Sequence, residues 1–450
     1  MVVKKVVKLF LLLLLPGIIF GQTKNRVIKL DECIDLARKN NSDFKLKEMT
    51  IKSAESNLKL AKSTRLPQVN FDASYNHVSE VVKAQVGGMF LDVPYLPDPV
   101  AVPDIEFQVG GQDNYSLKLG VTQPLFTGFR ISNMIKASEK QLQAEIHNLN
   151  AELNSLIYNI KAAYFNLIKT YKIKEITETS LQLVQAHLSD VKNLHEQGMA
   201  ARNEVLKIEI KVSEVELMIS KADHAIELAT LNLLYLVGVD SDENIMPDFE
   251  HEFELTDFGL ETSSAVALNE RPELLVLSSS AEAAQKFIEA NKGSYFPQLS
   301  LVGFYEYGKP AINAFKNEWM DYWAVGLAMK WNLWDWGAKK ANIVSARIQK
   351  DQIIETQNKV KRFIEIDVKK AVLKKREAEK NLKITMKKEQ QAEENLRLVG
   401  DQFKQGMVTN TDFLDAETQL RQAKIDKVQA TIDYRIAVAD INRALGKANE

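Results

Sequence analysis

The chain has 450 residues, of which 45% are hydrophobic and 26% are charged, which is long enough for two or three ordinary domains. A formal net charge of −2 excludes attraction to nucleic acid by bulk charge. The single cysteine, Cys33, excludes an internal disulfide, and no Cys and His residues have metal-ligand spacing.

Residues 1–21 have the pattern of a secretory signal peptide. Three lysines lie among the first eight residues, Leu9–Phe20 is apolar, and Gly21 is a small residue suited to cleavage. The alternative is a membrane anchor, but the apolar run is short for a span. No later segment resembles a spanning helix, so any membrane crossing would require strands.

The next predicted elements are a helix and two strands. The helix covers about Leu30–Ser63, and the strands cover about residues 67–77 and 114–126. Apolar or small side chains alternate with polar ones along both strands. These apolar or small residues are Val69, Phe71, Ala73, Tyr75, Tyr115, Leu117, Leu119 and Val121. The proline-containing stretch between the strands predicts a long irregular loop.

A long helix is predicted over about residues 128–195, because apolar residues recur there at the 4-3-4-3 spacing of a heptad seam. Gly198 ends this helix, as a glycine just past a helix often does. A return helix then covers about Arg202–Val237. At ~1.5 Å per residue the long helix measures about 100 Å. The two shorter helices, added end to end, match it, which predicts a helical tube.

Two further strands, about residues 297–307 and 322–334, precede a second long helix over about residues 337–403. All five tryptophans lie within or beside the fourth strand. Such crowding is typical of an aromatic girdle at a membrane interface. The predicted girdle residues are Trp323, Trp331, Trp334 and Trp336. The alternative is a soluble sheet over a core, but no other predicted element covers the apolar face.

The chain repeats itself. Leu66–Val69 recurs as Phe296–Leu299 at an offset of 230, and Gly198 recurs as Gly406 at an offset of 208. The difference of 22 residues falls in the loop between the first two strands. The resulting divisions are a signal peptide (1–21), a first repeat (22–238), an equatorial linker (239–265) and a second repeat (266–450).

Four strands per chain are too few to close a membrane barrel, since the smallest have about eight. Open strand edges in lipid leave backbone groups unpaired at a cost of several kcal/mol each. Several chains must therefore contribute strands, and three chains give twelve. The predicted fold is a membrane β-barrel plus a long α-helical barrel, built from a duplicated helix-strand-strand-helix-helix unit. A mechanical coiled-coil rod would account for the helices but not for the strands.

The duplication, the paired strands, the long helices and the turn sequence from Gly406 to Ala416 together resemble the TolC family of outer-membrane efflux proteins. The resemblance covers nearly the whole chain after the signal segment. It implies a homotrimer with twelve strands and twelve helices, surrounded by outer-membrane lipid. It also implies a periplasmic adaptor and an inner-membrane pump of the RND, ABC or MFS type as partners.

The resemblance also implies particular site residues. Asp412 and Asp415 match positions that form an acidic constriction, or gate, in the family. Val408 stands where the family prototype has a basic latch residue, so Arg202 and Glu204 are the candidates for a latch. A solvated helix face is the alternative interpretation of the two acids. The predicted adaptor contacts are Gly198, Met199, Leu206, Gly406, Met407 and Leu414.

No catalytic, cofactor or metal motif stands out: the sequence has no Walker loop, HExxH or GxSxG. His187 and His195 are interpreted as surface residues. We therefore predict a channel and no enzyme: the exit duct of a tripartite efflux or type I secretion system, in the outer membrane and extending into the periplasm. Two alternatives remain, a periplasmic adaptor (membrane fusion) protein and a structural coiled-coil protein of the envelope.

Overall fold

The computed structural model describes residues 26–95, 97–240, 245–249 and 260–448. The predicted signal peptide and much of the predicted linker lie outside these residues. The helices are α1 (Leu30–Asn40), α2 (Ser42–Ser63), α3 (Arg130–Glu196), α4 (Arg202–Val237), α5 (Leu260–Glu270), α6 (Pro272–Lys292), α7 (Ala338–Lys404) and α8 (Asn410–Leu445). The strands are β1 (Arg26–Ile28), β2 (Gln68–His77), β3 (Val82–Val86), β4 (Met89–Leu91), β5 (Val100–Val102), β6 (Ile105–Val109), β7 (Asp113–Phe126), β8 (Ile245–Pro247), β9 (Gln298–Lys309) and β10 (Met320–Lys330).

The described chain forms two compact units. Lys47–Asn150 and Pro272–Phe363 make up the sheet unit, and the remaining described residues make up the helical unit. The long helices α3 and α7 each contribute residues to both units. Among the described residues, no helix combines the length and the apolar character needed to cross a membrane.

The two repeats have matched helices. The long helices α3 and α7 both contain 67 residues, and the return helices α4 and α8 both contain 36. The predicted bounds of the long helices agree with the structure to within two residues, and those of α4 are confirmed. The prediction of one helix over Leu30–Ser63 is wrong, because the chain breaks at Asn41 into α1 and α2.

The break at Asn41 has an equivalent in the second repeat, 230 residues later, at Arg271 between α5 and α6. Nδ2 of Asn41 donates to the carbonyl oxygen of Leu236 at 2.9 Å, and Nη1 of Arg271 donates to that of Ala444 at 3.1 Å. Both acceptors lie in the last turn of a return helix, where carbonyl groups lack intrahelical partners. Each break therefore places a buried polar side chain on a helix end.

A short parallel pairing of β1 with β8 was not predicted from the sequence. The hydroxyl of Tyr164 on α3 accepts the main-chain N–H of Asp248 at 3.0 Å and donates to the carbonyl of Ile28 at 3.1 Å. Burial raises the pKa of Tyr164 to about 12, so this hydroxyl stays protonated. These hydrogen bonds connect β1 and the linker residue that follows β8 to the long helix of the first repeat.

The four predicted strands form one antiparallel sheet in the order β10-β9-β7-β2, so the β7–β9 pair joins the two repeats. The fourth strand was predicted to reach residue 334, but β10 ends at Lys330. Within the described residues, β2 pairs only with β7 and β10 pairs only with β9. Both outer edges of the sheet therefore carry backbone groups without strand partners.

The predicted alternation is confirmed by the register of the sheet, because residues directly opposite each other in antiparallel strands point to one face. One apolar row across all four strands is Phe71, Leu119, Tyr305 and Trp323. The neighbouring row on the other face is Asp72, Lys118, Glu306 and Tyr322. Each member of the apolar row is at least 45% exposed in the single chain. The sheet therefore presents an uncovered apolar face.

The stretch between β2 and β7 was predicted to be irregular, and this prediction is wrong in part. Antiparallel pairing joins β3 with β6 and β4 with β5. The stretch also contacts the loop after β9: the N–H of Gly110 donates to the carbonyl of Ala314 at 2.6 Å, and the rings of Phe107 and Phe315 are 5.5 Å apart. Short strands between prolines carry too few residues for a visible alternation.

Candidate functional site

The turns at Gly198 and Gly406 have the same geometry. Each glycine has a positive φ, +75° and +73°, which other residues adopt at a steric cost. After α3, the N–H of Gly198 donates to the carbonyl oxygen of His195, and the N–H of Met199 donates to that of Leu194. After α7, Gly406 and Met407 donate in the same way to the carbonyl oxygens of Phe403 and Gln402. This pair of bonds is a Schellman motif. The predicted glycine ends of both long helices are therefore confirmed.

The helix α8 begins with a capping box. The side chain of Thr409 accepts the N–H of Asp412, and Oδ2 of Asp412 accepts the N–H of Thr409 at 2.8 Å and its hydroxyl at 2.6 Å. These bonds lower the pKa of Asp412 within the single chain. Asp415, the other predicted gate residue, is exposed one turn further along the helix. Both acids are therefore exposed to solvent in the single chain.

The first turn of α4 differs from that of α8, because Ala201 offers no side-chain cap. Arg202 and Glu204, the predicted latch candidates, do not pair with each other in the chain. Nη2 of Arg202 lies 3.7 Å from Glu209, while Glu204 accepts from Lys207 at 2.9 Å. Bonds from Lys207 and from a side chain on α8 lower the pKa of Glu204.

A group of buried and half-buried side chains joins these helix ends. We call it the turn cluster: His187 on α3, Glu204 on α4, Phe403 on α7, and Asn410 and Phe413 on α8. The His187 ring stacks on Phe413 with centroids 3.9 Å apart and meets Phe403 edge-on at 4.8 Å. Its Nε2 lies 2.7 Å from Oδ1 of Asn410, whose Nδ2 donates to Oε2 of Glu204 at 3.2 Å.

The interpretation of His187 as a surface residue is wrong, since only 4% of it is exposed. Burial lowers the pKa of His187, although the bond to Asn410 and the charge of Asp190 oppose the shift. His195 belongs to the turn at Gly198, and its Nδ1 lies 2.7 Å from the carbonyl oxygen of Ala200. A histidine in phase with the apolar seam could have indicated burial, but its partner Asn410 lies 223 residues away.

The predicted adaptor contacts fall into two groups. Met199 and Met407 are 66% and 70% exposed, and Leu206 is also exposed. Leu414, the equivalent of Leu206 in the second repeat, instead packs on a buried cluster that includes Val184. A side chain on either turn glycine would meet no other atoms within 4 Å. Both turns therefore present free surface in the single chain.

An open groove of about 1210 Å³ lies beside the turn cluster within the helical unit. Apolar and charged side chains line it together, among them Met199, Lys207, Arg397, Asp401 and His187. The groove thus offers both apolar contact and charge pairing to a partner.

Of the predicted girdle residues, Trp323 lies near the start of β10, and Trp331, Trp334 and Trp336 follow its end. Trp323 is in the apolar row, and Nε1 of Trp331 donates to the carbonyl of Tyr295 at 3.1 Å. The rings of Trp334 and Trp336 meet edge-on at 5.8 Å. All four side chains are more than half exposed. An exposed aromatic group beside an apolar sheet face fits an interface between water and lipid.

The duplicated fold, with one sheet shared by both repeats, corresponds to a known family. The family model described as outer membrane efflux protein matches residues 33–239 and 264–447, which follow the two repeats. The chain belongs to this family and is an outer-membrane protein.

Individual relatives are distant. BepC, an outer membrane efflux protein of Brucella suis, is 21% identical over 59% of this chain and 52% of its own length. OprJ, an outer membrane protein of Pseudomonas aeruginosa, is 19% identical over 93% of this chain and 84% of its own. The chain spans about half the length of two of the curated relatives it matches.

The fold itself is confirmed by solved structures. The CmeC outer membrane channel of Campylobacter jejuni superposes with a TM-score of 0.75 at 18% identity, covering 93% of this chain and 86% of CmeC. The likeness confirms the predicted combination of long helices with one sheet.

Proposed function

We propose that this chain is the channel subunit through which a trans-envelope efflux or secretion system releases its cargo outside the cell. Three copies join their sheets edge to edge into a twelve-stranded barrel, and their helices form the duct that leads to it. A periplasmic adaptor binds at the turns, and an inner-membrane pump supplies the cargo.

The uncovered face of the four-stranded sheet is the observation that carries this proposal. Its apolar row faces solvent in the single chain, and both edge strands lack partners within the described residues. In lipid, an apolar face is favourable only if every backbone group is paired, which closure with other copies provides. The polar row then lines the inside of the barrel. In a soluble adaptor or a coiled-coil rod, such an apolar face would be exposed to water, which is unfavourable.

The gate is proposed at the start of α8. Asp412 and Asp415 are exposed carboxylates on one helix face, and three copies bring six of them around one axis. At ~8 Å, each pair repels by about 0.5 kcal/mol in a water-like medium and about 2 kcal/mol at an effective dielectric near 20. Such a ring attracts cations and binds multivalent ones most strongly.

Planar-bilayer recordings test the gate. We expect the wild-type channel to be cation-selective. We also expect a trivalent cation to block it when the cation is added on the periplasmic side, where the proposal places the turns. The double variant Asp412→Asn, Asp415→Asn should lose the block and much of the selectivity.

Asp401→Asn is the matched control, because Asp401 is an exposed acid on α7 that pairs with Arg397 at 3.2 Å. It should leave the block unchanged. A double variant that is blocked as tightly as the wild type would show that the two aspartates do not line the constriction.

A further inference from the structure

One amide side chain joins the first turns of α4 and α8. Asn410 is the first residue of α8, and its Nδ2 donates to the carbonyl oxygen of Glu204 at 3.3 Å and to the carboxylate Oε2 at 3.2 Å. Only 6% of Asn410 is exposed. Arg202, the equivalent residue of the first repeat, is exposed and pairs within α4 instead. The donor of this bond is therefore on the second repeat, and the equivalent residue of the first repeat does not make the reciprocal bond.

The ring of His187 fixes the direction of the Asn410 amide. Because the amide nitrogen donates to Glu204, Oδ1 faces Nε2 of His187 and accepts its hydrogen at 2.7 Å. The ring lies between Phe413 and Phe403, so it cannot turn unless both phenyl rings move. The amide is thus held from both sides, by a carboxylate on α4 and by an imidazole on α3.

We propose that Asn410 is the positioning residue of the gate: it ties the acidic first turn of α8 to α4, and the uncharged ring of His187 holds Asn410 in place. This proposal rests on the proposed role of Asp412 and Asp415. When His187 gains a proton, the charged ring is more favourable in water than between two phenyl rings. Because the charged ring keeps its hydrogen on Nε2, Asn410 loses its support only when the ring leaves the two phenyl rings for water, and the first turn of α8 is then released.

Other charges surround the groove that His187 lines. Acids would favour the charged ring and bases would oppose it. The acids are Asp190 on α3, Glu204 on α4 and Asp401 on α7. The bases are Lys207 on α4, and Arg397 and Lys404 on α7. Because three acids and three bases line the groove, their charges oppose one another, and burial remains the main reason why His187 is uncharged.

Hydrogen exchange of the full-length protein in detergent tests the coupling without reference to the gate. At neutral pH, Asn410→Ala should speed exchange about tenfold, the factor for one lost hydrogen bond, in the peptides around residues 199–208 and 407–415. The matched control is Asn203→Ala, an exposed asparagine in the same turn of α4, which should change neither peptide. Faster exchange confined to the α8 peptide would overturn the coupling.

The pH profile of channel opening tests the part assigned to His187. Between pH ~7.5 and pH ~5, where a histidine can titrate, the wild-type conductance should rise severalfold. His187→Phe keeps an aromatic ring between Phe403 and Phe413 but cannot titrate, so its conductance should stay flat. His195→Phe is the control for the neighbouring histidine and should keep the wild-type rise.

Asn410→Asp provides a second reading. A carboxylate at this position repels Glu204 and favours the charged ring, so the rise should move to higher pH, which loss of structure alone would not produce. An identical profile in wild type and His187→Phe would overturn the proposal. Altered exchange in both peptides together with an unchanged trivalent block in the aspartate variant would support the coupling and count against the gate.

Discussion

At the scale of single residues, the two repeats differ in the side chain that is buried at the helix break: it is charged in the second repeat and uncharged in the first. Arg271 is 3% exposed, and its Nη1 lies 3.0 Å from Asp367 on α7. Asp367 also binds Arg443 at 3.1 Å, which in turn binds Asp440 at 2.8 Å. Burial by itself would raise the pKa of Asp367, but the two arginines outweigh it and hold the pKa below its usual range. The first repeat uses the uncharged Asn41 at the same place.

Removing the Asp367 charge should therefore strongly destabilise the helical unit. Asp367→Asn leaves two guanidinium groups without their shared carboxylate, and breaking a buried pair costs about 3–5 kcal/mol. Thermal unfolding in detergent, followed by circular dichroism at neutral pH, measures this loss. Asp351→Asn, an exposed acid on the same helix, should leave the unfolding temperature unchanged.

The stabilisation contributed by the Asp367 carboxylate depends on pH with a definite sign. A carboxyl whose folded pKa is lowered stabilises the fold above its unfolded pKa of about 3.9, and this contribution is lost as the pH falls through the folded pKa. The difference between wild type and Asp367→Asn should therefore be full at neutral pH and shrink below pH ~4. A difference that does not depend on pH would contradict the assigned cause.

At the scale of elements, the junctions between strands and long helices reuse one backbone shape. Gly128 and Phe129 before α3 have positive φ values of +61° and +63°, and Trp336 and Gly337 before α7 have +55° and +85°. The junctions differ in packing. A side chain on Gly128 would overlap the carbonyl oxygen of Gly293, whereas one on Gly337 would meet nothing within 4 Å.

This contrast gives a matched pair of variants. Gly337→Ala should destabilise the protein by about 1–2 kcal/mol, the cost of a left-handed backbone for a residue with a side chain. Gly128→Ala carries the same cost and a further ~1–3 kcal/mol from overlap. Unfolding midpoints of the two variants in one detergent provide the measurement. Equal losses would show that the close approach to Gly293 does not constrain the junction.

At the scale of the whole molecule, closure of the sheet by other copies is the proposed feature with the widest consequences. We expect a detergent-stable trimer, because β2 and β10 each have one edge without a strand partner in the described chain. Phe71→Lys places a charge on the apolar face, where it would cost ~2–4 kcal/mol in lipid. Ser74→Lys places the same charge on the polar face of the same strand.

Light scattering in mild detergent and fractionation of membranes measure the outcome. The wild type and Ser74→Lys should be trimers in the outer membrane, and Phe71→Lys should reach the membrane poorly. A monodisperse wild-type monomer would contradict both the trimer and the barrel.

The sequence alone predicts much of this protein. Hydrophobic periodicity and the glycines that end helices are local properties of the sequence. The heptad seam, the turn glycines and the alternating strands therefore place the long helices and the sheet to within a few residues. The duplication and the turn sequence also predict the family, which is confirmed.

Only the tertiary structure decides which distant polar groups meet. The side chains of Asn41 and Arg271 are buried because each faces helix ends that the fold brings to it, and no local pattern indicates this. The same holds for the bond between His187 and Asn410: the phase of His187 could have indicated burial, but only the packing of distant helix segments brings its partner to it. Burial and partners are properties of long-range contacts, whereas helix, strand and turn follow from neighbours along the chain.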